Sequence, residues 1–204
     1  MPSQLSLEFW FEFASTYSYV AAMRIEVLCR DARVRLVWKP FILGPIFALQ
    51  GWGTSPFNLN ARRGAYMWRD LERLCAKFGL PWQRPSEFPR NTIVPARVAC
   101  ALVDEPWCAD FVRRIYVANF GEDRAIDRRE VVAEILTELG HDAAAVLARA
   151  ESPECKPALR ANTERATALG IFGAPNCVVG DELFWGEESL EDAIAWALRR
   201  SAGG

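Results

Sequence analysis

The side chain best placed for chemistry is the hydroxyl of Ser15. It follows an apolar stretch with a two-residue period and precedes one with helical spacing, so it stands at a strand-to-helix turn. The unpaired N–H groups of a first helical turn point outward at such a place. With the helix dipole they favour an anion such as a thiolate, and a positively polarised helix start lowers thiol pKa values. A serine alkoxide is hard to form, so Ser15 reads as a group that positions and stabilises another nucleophile. The competing reading is a plain N-cap serine, whose removal costs about 1 kcal/mol. Position 18 is serine, with no Glu or Gln to complete a capping box.

Other reactive types are less well placed. His141 is the single histidine, and Gly140-His141-Asp142 reads as a turn between helices with Asp142 as a cap. A Ser–His–Asp triad needs that histidine beside Ser15, so hydrolase chemistry is disfavoured. The six cysteines (29, 75, 100, 108, 155 and 177) are scattered with no C-x-x-C pair, which argues against a zinc site or local redox motif. They read as free thiols, mostly buried. No metal is expected.

The elements that position Ser15 follow from pattern. Leu5, Leu7, Phe9, Phe11 and Phe13 alternate with Ser6, Glu8, Trp10 and Glu12, a strand; 17–30 is helical; 34–38 is a second short strand. Pro40, Gly44 and Pro45 mark a loop, and 46–60 reads as irregular. A strong helix over 61–78 ends at Gly79, with Pro81 beyond it. Helices are expected near 95–104, 107–119, 127–139, 142–150 and 156–169, then a hairpin over 176–185 and a last helix over 188–200. The simplest arrangement is one α/β domain made from both chain ends, 1–42 and 157–204, around an all-helical insertion at 43–156.

Composition fits this. A chain of 204 residues that is 51% hydrophobic and 25% charged affords a core without staples. A net charge of −2 gives no footprint for nucleic acid. Glu8 and Glu12 interrupt the first apolar stretch, and no long uncharged apolar run follows. Neither a signal peptide nor a membrane span is therefore expected, and the protein is expected in the cytoplasm.

Two local signatures combine: Phe9-Trp10-Phe11-Glu12-Phe13-Ala14-Ser15-Thr16-Tyr17-Ser18-Tyr19, and Phe172-Gly173-Ala174-Pro175-Asn176 followed by Gly180-Asp181-Glu182-Leu183-Phe184-Trp185-Gly186. With Tyr66-Met67-Trp68-Arg69-Asp70-Leu71 between them, the chain resembles the 2-hydroxychromene-2-carboxylate isomerase family, close to the kappa-class glutathione transferases and the periplasmic disulfide oxidases. The resemblance implies a thioredoxin-like domain interrupted by a helical domain, with glutathione as cosubstrate in the cleft between them. It implies a homodimer and a role in aromatic catabolism. The family's Ser-Pro is Ser15-Thr16 here, a change expected to affect loop rigidity rather than chemistry.

In this reading Ser15 donates to the glutathione sulfur. The bond before Pro175 is expected to be cis, letting Ala174 pair its backbone with the cysteinyl unit of glutathione as a short strand addition. Trp52 and Asp70 are further glutathione-binding candidates. Glu187 and Glu188 stand where related transferases have serine and aspartate, and Glu188 is the candidate for the γ-glutamyl amine. Arg90 and Asn91 match a short polar motif and are candidates for a substrate carboxylate or phenol. Lys39 and Arg62 are additional basic candidates. The expected reaction is glutathione-dependent cis–trans isomerisation of a small aromatic, carboxylate-bearing substrate. The alternatives are glutathione conjugation or peroxide reduction of the kappa-class kind, and a non-catalytic thioredoxin-like binding module. A disulfide oxidoreductase needs cysteine at position 15 and preferably at 18, where this chain has serines.

Overall fold

The computed structural model describes residues 5–202. Strand β1 (Ser6–Phe11) runs into helix α1 (Thr16–Asp31) and strand β2 (Arg35–Pro40). Helices α2 (Leu43–Leu49), α3 (Pro56–Leu59), α4 (Ala61–Phe78), α5 (Ile93–Leu102), α6 (Cys108–Phe120), α7 (Arg129–Glu138), α8 (Ala143–Ala150) and α9 (Lys156–Ala168) follow. The chain then returns as β3 (Asn176–Val179), β4 (Glu182–Trp185), a 3₁₀ turn at Glu187–Ser189 and α10 (Leu190–Ala202). The sheet order is β2-β1-β3-β4, with β1 and β2 parallel and the other two pairings antiparallel. This is a thioredoxin-like α/β fold carrying a helical insertion.

β1 is an inner strand with packing on both sides: its C-terminal half is buried on both faces, while Ser6 and Glu8 are only partly covered. Leu7, Phe9, Phe11 and Phe13 enter a large cluster that continues without a break through α1, α10 and the inserted helices. Trp10, on the opposite face, packs with Phe41, Ile46, Ala166, Ile171 and Val178 beneath α2 and α9. The two-residue alternation is real, but its second side meets another layer instead of water. Glu12 is drawn in with it and is only 5% exposed.

The segment expected to be irregular contains two short helices. Pro45 lies in the first turn of α2, where a missing N–H costs nothing. Ser55 caps α3 by accepting from the Phe57 N–H at 3.3 Å, with Pro56 at the first helical position. In α4, Asn60 caps the start and Gly79 ends the helix with φ 66°. Gly64 has a packing reason: a Cβ there would lie 2.4 Å from the Phe57 carbonyl oxygen. Absence of a side chain lets α3 lie against α4, and this contact builds one wall of the site.

Candidate functional site

A cleft of about 1030 Å³ opens between the sheet end carrying Ser15 and the start of the insertion. Ser15 caps α1. Its hydroxyl oxygen accepts from the Ser18 N–H at 3.2 Å and its proton goes to the Ala174 carbonyl at 3.0 Å. The structure thus brings together residues 159 positions apart in the sequence, and the Ala174–Pro175 bond is cis. The Thr16 and Tyr17 N–H groups have no acceptor within α1, and the Ala174 N–H donates to no acceptor among the described residues. Pro175 is tied in turn through its carbonyl to the Gly186 N–H at 3.0 Å.

The turn beneath Ser15 is held from several sides. The Ser15 N–H donates to the Glu12 carbonyl at 3.0 Å, and Tyr116 of α6 donates to the same carbonyl at 3.0 Å. Asn119 donates to the Phe13 carbonyl at 3.1 Å. The Glu12 carboxylate accepts from the Ala14 N–H at 2.9 Å and meets the Thr92 hydroxyl ahead of α5. Burial raises its pKa from 4.5 to about 7, against the opposing pull of those hydrogen bonds.

One end of the cleft is acidic. Asp70 of α4 accepts from the Tyr17 hydroxyl at 3.1 Å and pairs with Arg73 at 2.8 Å. Burial, and then the Asp70 charge, push the Tyr17 pKa up, so the phenol stays a donor. Glu188 is exposed and lines the same end. Glu187 is committed elsewhere: it is buried and pairs with Arg24 at 2.9 Å. Burial raises its pKa, opposed by Arg24.

Along α4, Arg62, Arg63, Tyr66 and Asp70 recur at helical spacing and all face the cleft. Among the described residues Arg62 and Arg63 make no side-chain ion pair, so they are the cations with capacity to spare. Trp52 lines the opposite side, its ring 5.7 Å from that of Phe47. Phe172 and Trp185, about half exposed and 5.0 Å apart, form an apolar rim.

Arg90 and Asn91 line the cleft wall, but the two terminal nitrogens of Arg90 and the Asn91 Oδ1 are engaged within the fold, leaving the buried Arg90 Nε without a partner. Arg90 is 6% exposed; it donates to Asn119 at 2.8 Å and pairs with Asp123. The Asn91 side chain accepts from the Ile93 N–H at 3.0 Å. Both therefore brace the wall, and the free charge expected from Arg90 is found instead on Arg62 and Arg63. Lys39 lies 3.9 Å from Glu8 and is absent from the cleft lining. His141 stacks on Trp107 at 3.6 Å outside the cleft, so no triad forms with Ser15. No cysteine lines the cleft; burial pushes Cys29, Cys100 and Cys108 up to about 12. Among the described residues no group of side chains is arranged to hold a metal ion, and no helix is long and apolar enough to cross a membrane.

Residues 6–195 match the DSBA-like thioredoxin domain. The chain belongs to that family. Within it, the chain is 26% identical to a 2-hydroxychromene-2-carboxylate isomerase of Pseudomonas putida, over 96% of this chain and 97% of that protein. It is 29% identical to glutathione S-transferase kappa 2 of Caenorhabditis elegans, over 86% of this chain and 81% of that one. A solved 2-hydroxychromene-2-carboxylate isomerase structure superposes with a TM-score of 0.83 at 25% identity, covering 97% of this chain and 98% of that one. The DSBA-like fold and the kinship to these isomerases and transferases agree with the resemblance carried by the Ser15 and Pro175 signatures.

Sequence reasoning passed over Glu12, Tyr17, Arg63 and Tyr66. Tyr17 had a signal, since it sits in the first helical turn beside Ser15. The helical register of Arg63, Tyr66 and Asp70 was readable as well. Glu12 had none, because alternation places it opposite the phenylalanines and says nothing of what covers that side.

Proposed function

We propose that this chain is a glutathione-dependent isomerase acting on a small aromatic, carboxylate-bearing unsaturated compound of the hydroxychromene carboxylate type. The observation that carries the reading is the Ser15 hydroxyl at the start of α1, 3.0 Å from the carbonyl of Ala174, in a cleft lined by no cysteine. A thiol must then come from a small molecule. The groups facing the cleft fit glutathione: N–H donors of Thr16, Tyr17 and Ala174 for the sulfur and peptide edge, Glu188 and the Asp70 carboxylate already held by Tyr17 and Arg73 for an ammonium, Arg62 and Arg63 for carboxylates.

When bound, the glutathione thiolate supplies a nucleophile that adds to an activated carbon–carbon double bond, permits rotation and leaves. The protein's part is electrostatic and geometric. Ser15 has one proton and two acceptors to choose between, the Ala174 carbonyl and the sulfur. A peptide N–H from the ligand replaces Ser15 as donor to Ala174, which frees the hydroxyl to turn to the sulfur. The N-terminal amides of α1 add stabilisation for the anion. Tyr17, kept protonated, orients the Asp70 carboxylate toward the amine. Trp52, Phe57 and the Phe172–Trp185 rim cover the aromatic body and exclude water.

The test is a glutathione titration read by thermal shift, on the parent and on Ser15→Ala, with a hydroxychromene carboxylate as substrate. Saturation at a hundred times Kd stabilises by about 2.7 kcal/mol. The parent should gain stability and isomerise the substrate; the variant should bind glutathione with a higher thiol pKa. No stabilisation at millimolar glutathione would overturn the reading. Faster turnover of an electrophilic aryl halide than of the chromene would reassign the site to conjugation.

A further inference from the structure

Glu12 is a carboxyl group in the lining of the cleft that the isomerase reading leaves unused. It belongs to the same turn as Ser15, and both residues line the cleft floor. Its side chain folds back onto the amides of that turn, accepting from the Ala14 N–H at 2.9 Å and facing the Ser15 N–H. It is 5% exposed and has no ion-pair partner among the described residues. The groups around it are the Thr92 hydroxyl ahead of α5, the Tyr116 phenol of α6, and Arg90, whose guanidinium is turned to Asn119 and Asp123. Tyr116 is held well above the ordinary phenol range by burial, and so stays neutral.

Resting on the glutathione reading, we propose that Glu12 holds the proton that the bound thiol gives up. Two negative charges on one poorly solvated turn repel, so a thiolate at Ser15 and a carboxylate at Glu12 disfavour each other. The step balances simply. The S–H bond breaks with its electron pair left on sulfur, and the proton ends on a Glu12 oxygen, leaving the net charge of the cleft floor unchanged. The hydrogen bonds tolerate both states: the Ala14 N–H donates to carboxylate and acid alike, and the Thr92 hydroxyl either donates or accepts. When the substrate leaves the sulfur, the same proton is at hand for return. Burial that already draws the Glu12 pKa up to about 7 suits it to this exchange near neutrality.

The experiment is calorimetric titration with glutathione in buffers of different ionisation enthalpy, at pH 6 and pH 8, which counts protons released per ligand bound. For a thiol of pKa about 8.5 bound as thiolate, about one proton leaves at pH 6, where Glu12 is already protonated. At pH 8 the parent should release close to none, because Glu12 takes up what the thiol loses. Glu12→Gln, which cannot, should release about 0.8 protons at pH 8. Parent release that stays near 0.8 at pH 8 overturns the proposal while leaving glutathione binding intact. An absence of binding heat overturns both readings together. The pH dependence of the parent alone decides the matter should Glu12→Gln fail to fold.

Discussion

Replacing Glu12 by glutamine should change how stability depends on pH, whatever the ligand. The folded parent holds the Glu12 proton up to about pH 7, whereas an unfolded carboxyl releases it near 4.5. Between those values the folded state binds more protons than the unfolded one, so the parent loses stability as pH rises through that window. Below it both states are protonated; above it both are ionised; the curve is flat at either end as far as Glu12 is concerned. The difference integrates to about 3 kcal/mol. Glutamine has nearly the same shape, can accept from the Ala14 N–H and can donate to Thr92, but never ionises. Any mispairing of its second amide hydrogen shifts the whole curve by a constant, on the order of 1–3 kcal/mol, without changing its slope. Other groups that titrate in this range, including Glu187, cancel in the comparison. Urea unfolding of both proteins at half-unit steps from pH 4 to 8.5 measures the difference. Expected is a variant that gains about 3 kcal/mol on the parent from the acid to the alkaline end. Parallel curves would refute the buried, unpaired placement of this carboxyl.

Three further substitutions probe the walls. Gly64→Ala would set a Cβ 2.4 Å from the Phe57 carbonyl oxygen; helix propensity favours the alanine by about 1 kcal/mol, but a backbone clash outweighs it. The net loss should be about 1–2 kcal/mol by chemical unfolding, with weakened glutathione binding as α3 moves away. Arg90→Met should destabilise by about 1–3 kcal/mol, since it leaves the buried Asn119 carbonyl unpaired, while the partly exposed Asp123 keeps its bonds from Ser86; a loss seen only in substrate KM would instead restore Arg90 as a ligand. Asp70→Asn should weaken glutathione binding at least tenfold by calorimetry, the worth of a charge-assisted hydrogen bond at about 1.5–3 kcal/mol, with little change in melting temperature.

Local signals made much of this fold readable. The alternation of β1, the Gly79 cap of α4, the Asp142 cap accepting from the Ala145 N–H, and the hairpin of β3 and β4 each rest on chemistry confined to a few neighbours. What escaped was set at longer range. Pro45 reads as a loop marker in the sequence, and only its position in the first turn of α2 shows that it suits a helix. Arg90 read as a free cation because its acid, Asp123, lies 33 residues on and gives no local sign of pairing. Glu12 and Trp10 alternate with the phenylalanines, and only the packed structure reveals that a second layer under α2 and α9 covers Trp10.

The same distinction explains why the site was more legible than its charges. A helix start and an X-Pro turn are properties of the chain within a few residues, and the fold's strand order brings them together: β3 lies beside β1, so the segment entering β3 reaches the end of β1 from which α1 begins. Ser15 and Ala174 are neighbours as a consequence of that pairing. Charge state carries no such guarantee. Arg24 and Glu187, Arg90 and Asp123, Tyr17 and Asp70 each join different elements, and which groups remain free for a ligand is decided only after those pairs have formed. The residues with capacity left over, Arg62, Arg63, Glu188 and the lone carboxyl of Glu12, are therefore where this chain's specificity and proton handling should be sought.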